Sequence, residues 1–332
     1  MIGDGRQAPP AQCAAGGVPL ARAGAGDRHA PPVAARSRVL GMVILSPIYA
    51  LCFVAIKAGL PYAPPLLFGG LRALLAGVAL LGLAGALGQP LWPARRTWGG
   101  VLALALAATT VGFGAMFLSP GRTGAGIAAV LGNTQPLLTI ALAALFLGER
   151  VTRRKATALA LGLAGVALIA YPALTGPGAR GSAGPILALA AALGATAGTV
   201  IAKRMDLGRE LLTVAAWQLL LGSLPLLGAS AVVERGARLT WSATFVTLLL
   251  FLALVGTAFA NAYWYWLLRH HEAGELTLFL FFVPLIGLGL AAVFFGEALV
   301  PLTGLGAALT IGGIGAAVGG PARDRSRPPA GV

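Results

Sequence analysis

One fourteen-residue phrase occurs twice in this chain. It reads PLLTIALAALFLGE from Pro136 to Glu149 and PLIGLGLAAVFFGE from Pro284 to Glu297, 148 positions later. Eight of the fourteen residues are identical, including the leading Pro and the closing Gly-Glu, and the others are small or apolar exchanges. An internal repeat constrains the architecture before local propensity is weighed, because each copy must fold by the same rules. Both copies are apolar, and so is the rest of the chain. With 58% hydrophobic and 10% charged residues among 332, it stands far from soluble proteins, whose charged fraction is about 25%. Apolar runs of about 20 residues recur, each long enough to cross a hydrocarbon core of roughly 30 Å as a helix. The alternating polarity of an outer-membrane barrel is absent.

Read between Pro, Gly and charge clusters, these runs predict ten helices, near 38–58, 64–87, 98–118, 122–147, 155–173, 184–203, 210–233, 241–267, 273–296 and 301–319. The expected fold is an all-α polytopic membrane protein. Residues 1–37, rich in Pro, Gly, Ala and Arg without apolar periodicity, read as a disordered tail, and 320–332 as a second tail. A secretory signal is not expected, since the first apolar run begins late and is long enough to remain as a span. Met42 is an alternative start. Cys13 in the tail and Cys52 in the first span differ too much in setting to predict a disulfide.

The net charge of +14 does not form a nucleic-acid-binding stripe, because the basic residues fall between the spans. With a cytoplasmic amino terminus, eighteen Lys and Arg lie in inside segments, among them Arg95, Arg96, Arg150, Arg153, Arg154, Lys155, Lys203, Arg204, Arg209 and Arg269. Only four, Arg122, Arg180, Arg235 and Arg238, lie outside. This positive-inside bias puts both termini in the cytoplasm, and a bacterial inner membrane is expected. After its first copy the repeat continues as RVTRRK, and after its second as ALVPLT. Each copy holds five spans, so the second enters the membrane the other way up and loses its basic flank. The expected domains are therefore inverted five-helix repeats at 38–173 and 184–319. FVAIK ending at Lys57 matches TVIAK ending at Lys203, and Arg72 corresponds to Gln218.

Inverted repeats build secondary transporters, whose similar halves exchange roles to open a central site to either side. The segments FVAIKAGL, FGGLRALLAGVALL and PLLTIALAALFLGERVTRRKATALALGLAGVALI, with the echo of the last in the second half, resemble the EamA-type family of the drug/metabolite transporter superfamily. The resemblance covers nearly all of residues 38–319. It implies two EamA domains of five helices and movement of small metabolites without chemical change.

Eight residues beyond Pro64, Arg72 lies roughly 12 Å into its span, where a cation marks a functional site or pins a neighbouring helix. An Arg here is also a feature of the family the chain resembles. Gln218 is its repeat counterpart. Pro136 and Pro284 interrupt matching helices, and Asn133, Thr134 and Gln135 surround the first break; such breaks mark transport sites, or else plain kinks. Thr257, Asn261 and Trp264 follow helical spacing as a polar and aromatic stripe, whereas the run Tyr263–Trp264–Tyr265–Trp266 reads better as an interfacial belt. The expected substrate-binding residues are thus Arg72, Asn133, Gln135, Gln218, Thr257, Asn261 and Trp264.

Lys57 and Lys203 are candidate gates, with snorkelling at helix ends as the ordinary account. Glu149 and Glu297, after the helix-ending Gly148 and Gly296, are expected to meet the start of the next helix. His270, His271, Glu272 and Glu275 match no familiar metal pattern and read as a solvated loop that responds to pH. GLAG from Gly162 and TIGGIG from Thr310 read as close-contact points between helices.

No Asp or Glu falls inside a span away from its ends. That argues against the proton-coupled cation exporters of the same superfamily, which resemblance places on a first-helix glutamate. The sequence therefore predicts a secondary transporter, an exporter of amino acids or related carboxylate-bearing solutes. Rival readings are a multidrug or cation exporter, a nucleotide-sugar or sugar-phosphate carrier, and, from another class, a non-transporting membrane sensor or a lipid-acting enzyme. No cofactor, metal, catalytic residue or nucleic-acid partner is expected. The expected partners are a small solute and the lipid bilayer, with a homo-oligomer left open.

Overall fold

The computed structural model describes residues 32–119, 134–175, 183–205 and 207–283, with scattered helical positions between 286 and 313. Among the described residues the secondary structure is helical, without strands. Six helices are long and apolar enough to cross a membrane: Arg38–Gly59, Pro65–Ala86, Arg95–Leu118, Ile186–Arg204, Gly208–Val233 and Ala243–His270. The first belongs to α1 (Pro32–Gly59), which starts six residues inside the expected tail; Pro32 suits a first turn, where its missing N–H has no helical partner. The next two are α2 and α3. Then come α4 (Gln135–Leu147), α5 (Arg153–Thr175) and α6 (Ala183–Arg204). Gly208–Val233 is α7, Ala243–His270 is α8, and α9 opens at Ala273–Leu278 before a 3-10 turn at Phe279–Phe281. The expected fourth, ninth and tenth spans lie partly outside the described residues.

Among the described residues, α2 and α7 pack more extensively than any other two helices. Small residues allow this approach: a Cβ on Gly77 of α2 would lie 3.0 Å from the carbonyl oxygen of Ala216 on α7. Helix α3 lies on α7 and α6, α8 lies on α2 and α1, and α9 reaches α4 and α5. Large apolar side chains such as Leu145, Val78 and Leu224 remain exposed on the outer faces, as a lipid-facing surface allows. The two predicted contact motifs meet each other. A Cβ on Gly313 would lie 3.1 Å from the Ala158 carbonyl oxygen and 3.3 Å from the backbone nitrogen of Gly162, so bulk there would push α5 away, whereas a Cβ on Gly162 would meet the Phe281 ring.

Two spans are not plain α-helices. Ala105–Phe113 within α3 and Phe251–Phe259 within α8 are π-helical, with hydrogen bonds reaching five residues back. The segments are 146 positions apart, the same interval that separates Arg72 from Gln218 and Lys57 from Lys203. Nothing in their composition announced them.

Charged groups gather where α1, α3, α5, α7 and α9 begin, here called the basic end. Gly148 ends α4 in the left-handed conformation (φ 67°) that glycine tolerates best. Glu149 then departs from expectation. Its carboxylate turns away from α5 and accepts from the backbone N–H groups of Ala273 (2.7 Å) and Gly274 (3.0 Å), at the start of α9. Lys155 pairs with Glu272 and lies 3.7 Å from Glu149, while Arg38 pairs with Glu275. At the opposite end, Glu234 does for α2 what Glu149 does for α9, accepting from Leu66 N (2.8 Å) and Leu67 N (3.1 Å). A carboxylate on a helix N-terminus meets both free donors and a favourable dipole, worth about 0.3–1 kcal/mol for the dipole term.

Candidate solute site between two helical junctions

Arg72 is buried on α2, 3% exposed, and faces the π segment of α8. Its Nε donates to Thr257 Oγ1 (2.6 Å) and its Nη2 to the Gly256 carbonyl (3.1 Å), with Cys52 Sγ of α1 at 3.8 Å. The π geometry organises these acceptors, since Thr257 Oγ1 in turn donates to the Leu252 carbonyl five residues back (2.8 Å). The guanidinium carbon lies 4.9 Å from the ring centre of Phe113 and 5.9 Å from that of Phe117, distances at which an aromatic face attracts a cation. The remaining donor, Nη1, is buried and hydrogen-bonds to no described group. Ion pairs among the described residues all lie at the basic end. Arg72 is thus a desolvated cation held by neutral acceptors, with one donor left to offer.

The counterpart centres on a different pair of helices, α7 and α3. Gln218 of α7, 2% exposed, faces the π segment of α3: its Nε2 donates to Thr109 Oγ1 at 3.1 Å, while its Oε1 accepts from the Tyr265 hydroxyl. Beside it, Thr110 Oγ1 donates to the Gly222 carbonyl (3.0 Å). Helix α2 is therefore bonded to α8, and α7 to α3. Packing is as close as bonding. A Cβ on Gly256 would lie 2.4 Å from Cys52 Sγ, and one on Gly222 would lie 2.4 Å from Thr109 Cβ and 2.7 Å from the Ala105 carbonyl.

The other predicted residues are dispersed. Thr257 is in the Arg72 junction, Trp264 is buried one turn before Leu268, and Asn261 is half-buried between them on α8. Gln135 and Pro136 form the first turn of α4, where the Gln135 carbonyl accepts from Thr196 Oγ1 of α6 at 3.5 Å. Asn133 and Pro284 lie outside the described residues. Lys57 is exposed at the end of α1. Lys203 is half-buried, and its Nζ donates to the carbonyls of Leu268 and His271 that close α8. The aromatic run divides: Trp266 is exposed and Tyr263 half-buried, but Tyr265 is buried in the Gln218 junction. Thr109, Gly256, Tyr265 and Cys52 escaped sequence reasoning. The interval of 146 that links Arg72 to Gln218 carries Thr109 onto Val255, beside Gly256, and was the signal available.

His271, in the loop between α8 and α9, is buried, and its pKa is lowered from the usual histidine value, first by burial and then by Arg38, His270 and Lys203. No cluster of three or more potential metal ligands occurs among the described residues.

Comparison with known proteins agrees with this picture. The EamA-like transporter family model matches residues 36–171 and again 182–318. An uncharacterized transporter of Bacillus subtilis, YvbV, is 32% identical over 73% of this chain and 79% of its own. A probable amino-acid metabolite efflux pump of Salmonella typhimurium is 30% identical over 80% of this chain and 90% of its own. One solved crystal structure superimposes with a TM-score of 0.69 at 18% identity, covering 86% of this chain and 96% of the other, which establishes a shared fold. A multi-pass helical chain, matched along nearly its whole length by one family model and by relatives named as transporters, belongs to the EamA-like transporter family.

Proposed function

We propose that this protein is a secondary active transporter of the bacterial inner membrane, with cytoplasmic termini, that exports amino acids or related carboxylate-bearing solutes. The observation that carries the substrate class is Arg72 Nη1, a buried cationic donor with no described partner. A carboxylate is the ligand that answers it, since a charge-assisted bond in a dry site is stronger than its neutral equivalent. The relative named as a probable amino-acid metabolite efflux pump supports the same class.

The movement proposed is alternating access between two inverted five-helix repeats, residues 38–173 and 184–319. It is supported by the twin π segments and by Arg72 and Gln218, each pair 146 positions apart, with Arg72 bonded to one π segment and Gln218 to the other. The π segments are the hinges, because their longer hydrogen bonds tolerate bending that a regular α-helix resists. Arg72 senses the solute: a carboxylate bound at Nη1 competes with the Gly256 carbonyl for the guanidinium and loosens α8 from α2. The gate is the basic end, where Lys203, Lys155 and Arg38 tie α1, α5, α6, α8 and α9 together. Lys57 stands at the opposite mouth.

Proteoliposomes loaded with amino acids, organic anions and lipophilic cations test this reading. The native protein should release carboxylate-bearing solutes selectively, and Arg72→Gln should slow that release roughly ten- to a hundredfold, the loss of about 1.4–2.7 kcal/mol of binding. Release of cations alone, unchanged by Arg72→Gln, would leave a transporter and remove the carboxylate assignment.

A further inference from the structure

A recess opens at the basic end, and none of the residues of the Arg72 junction lines it. It is about 370 Å³ in volume, with Phe259, Tyr263 and Trp266 of α8 along one wall and Arg209 and Arg269 among its lining residues. The aromatic wall is continuous. Phe259 and Tyr263 stack with centroids 5.6 Å apart, Tyr263 and Trp266 at 5.7 Å, and both Phe259 and Trp266 are exposed. Gln89, on the turn after α2, also lines the recess, and its Oε1 is buried with no hydrogen-bond partner among the described residues. This turn is anchored rather than loose: Thr213 Oγ1 donates to the Pro90 carbonyl and Trp217 Nε1 to that of Leu91 (2.8 Å). Arg269 is likewise placed, donating to the Gly208 carbonyl at 2.9 Å. No carboxylate pairs with Arg209 or Arg269 among the described residues.

We propose that this recess binds one anionic phospholipid from the leaflet at the basic end. Its phosphate lies between Arg209 and Arg269, a headgroup hydroxyl donates to Gln89 Oε1, and an acyl chain runs along Phe259, Tyr263 and Trp266. Charge selects the occupant. Phosphatidylcholine brings a quaternary ammonium toward two guanidinium groups and offers Gln89 no donor, whereas phosphatidylglycerol supplies an uncompensated phosphate and two hydroxyls. Basic recesses between helices at the membrane surface hold such headgroups, each Arg adding about 1 kcal/mol. A soluble phosphate would leave the aromatic wall in contact with nothing. Because Phe259 is also the last residue of the α8 π segment, a lipid seated here rests against one of the hinges proposed above, although binding itself does not depend on that transport reading.

Native mass spectrometry of the full chain, released from membranes of equal phosphatidylglycerol and phosphatidylcholine content, decides the matter without any transport assay. The native protein should retain one phosphatidylglycerol in preference to phosphatidylcholine. Arg209→Gln, which leaves the Arg269 bond to Gly208 intact, should weaken retention about fivefold, and Arg209→Gln with Arg269→Gln about thirtyfold. Equal melting temperatures of the variants in lipid-free zwitterionic detergent would confirm that folding is not what changed. Equal retention of both lipids, retention unaltered in the double variant, a dimer of this chain occupying the face instead, or full displacement by millimolar glycerol phosphate would each overturn the proposal.

Discussion

The Arg72 and Gln218 junctions occupy equivalent places in the two halves and differ in chemistry. At the first, a cation lies against backbone and hydroxyl oxygens of α8 with Nη1 unpartnered among the described residues; at the second, an amide has a partner at its nitrogen, Thr109, and at its oxygen, Tyr265. The difference teaches which position is free to act. Gln218 spends its amide bonds on holding α7, α3 and α8 together, whereas Arg72 holds α8 and keeps a charge in reserve. On the function proposed above, both junctions act as hinge contacts and Arg72 alone takes the solute.

Exchanging the residues breaks the comparison most severely. Arg72→Gln combined with Gln218→Arg should abolish carboxylate release, since the new guanidinium would be buried against Thr109 and Tyr265; recovery of transport in the exchanged protein would mean the junctions are interchangeable. Packing gives the next effect. Gly222→Ala should destabilise by about 1–3 kcal/mol, because its new Cβ meets the Ala105 carbonyl, which cannot rotate away. Gly256→Ala should cost less and be relieved by adding Cys52→Ala, since there the obstacle is a thiol; thermal melting of the three proteins distinguishes them. Smaller still, Tyr265→Phe should lower stability by about 1 kcal/mol with little change in solute selectivity.

Neither junction contains a carboxylate among the described residues, so the sharpest pH response should arise elsewhere. Burial lowers the pKa of His271, so its neutral form stabilises the fold above the ordinary histidine value, and that contribution is lost as pH falls through the lowered folded value. Melting temperature should therefore decline toward acid, and His271→Gln should flatten the decline. A junction variant such as Gln218→Leu should shift the whole curve without changing its shape.

Much of this molecule was visible in its sequence, for a physical reason. In an apolar chain a charge or amide within a span is conspicuous, so Arg72 and Gln218 stand out and a fixed interval pairs them, whereas a small hydroxyl such as that of Thr109 does not. The π segments were hidden because a change from four- to five-residue hydrogen bonding leaves no compositional mark in ALAATTVGF or FLALVGTAF. Tyr265 was concealed by its neighbours, since an aromatic run suggests an interface although alternate faces of the helix look inward and outward. Glu149 misled for a similar reason. Local dipole reasoning assigns it to the next helix, but its carboxylate reaches one 124 positions away.

That reach bears on where water stops. Glu149 and Glu234 each fasten two amides at the start of a distant helix, one at either end of the molecule. An unfastened helix start draws solvent inward to satisfy its free N–H groups, thinning the dry layer around it. By closing those points from the side, the two glutamates define the upper and lower shorelines of the protein's hydrophobic slab, and neutralising either should let hydration creep along α9 or α2 toward the middle.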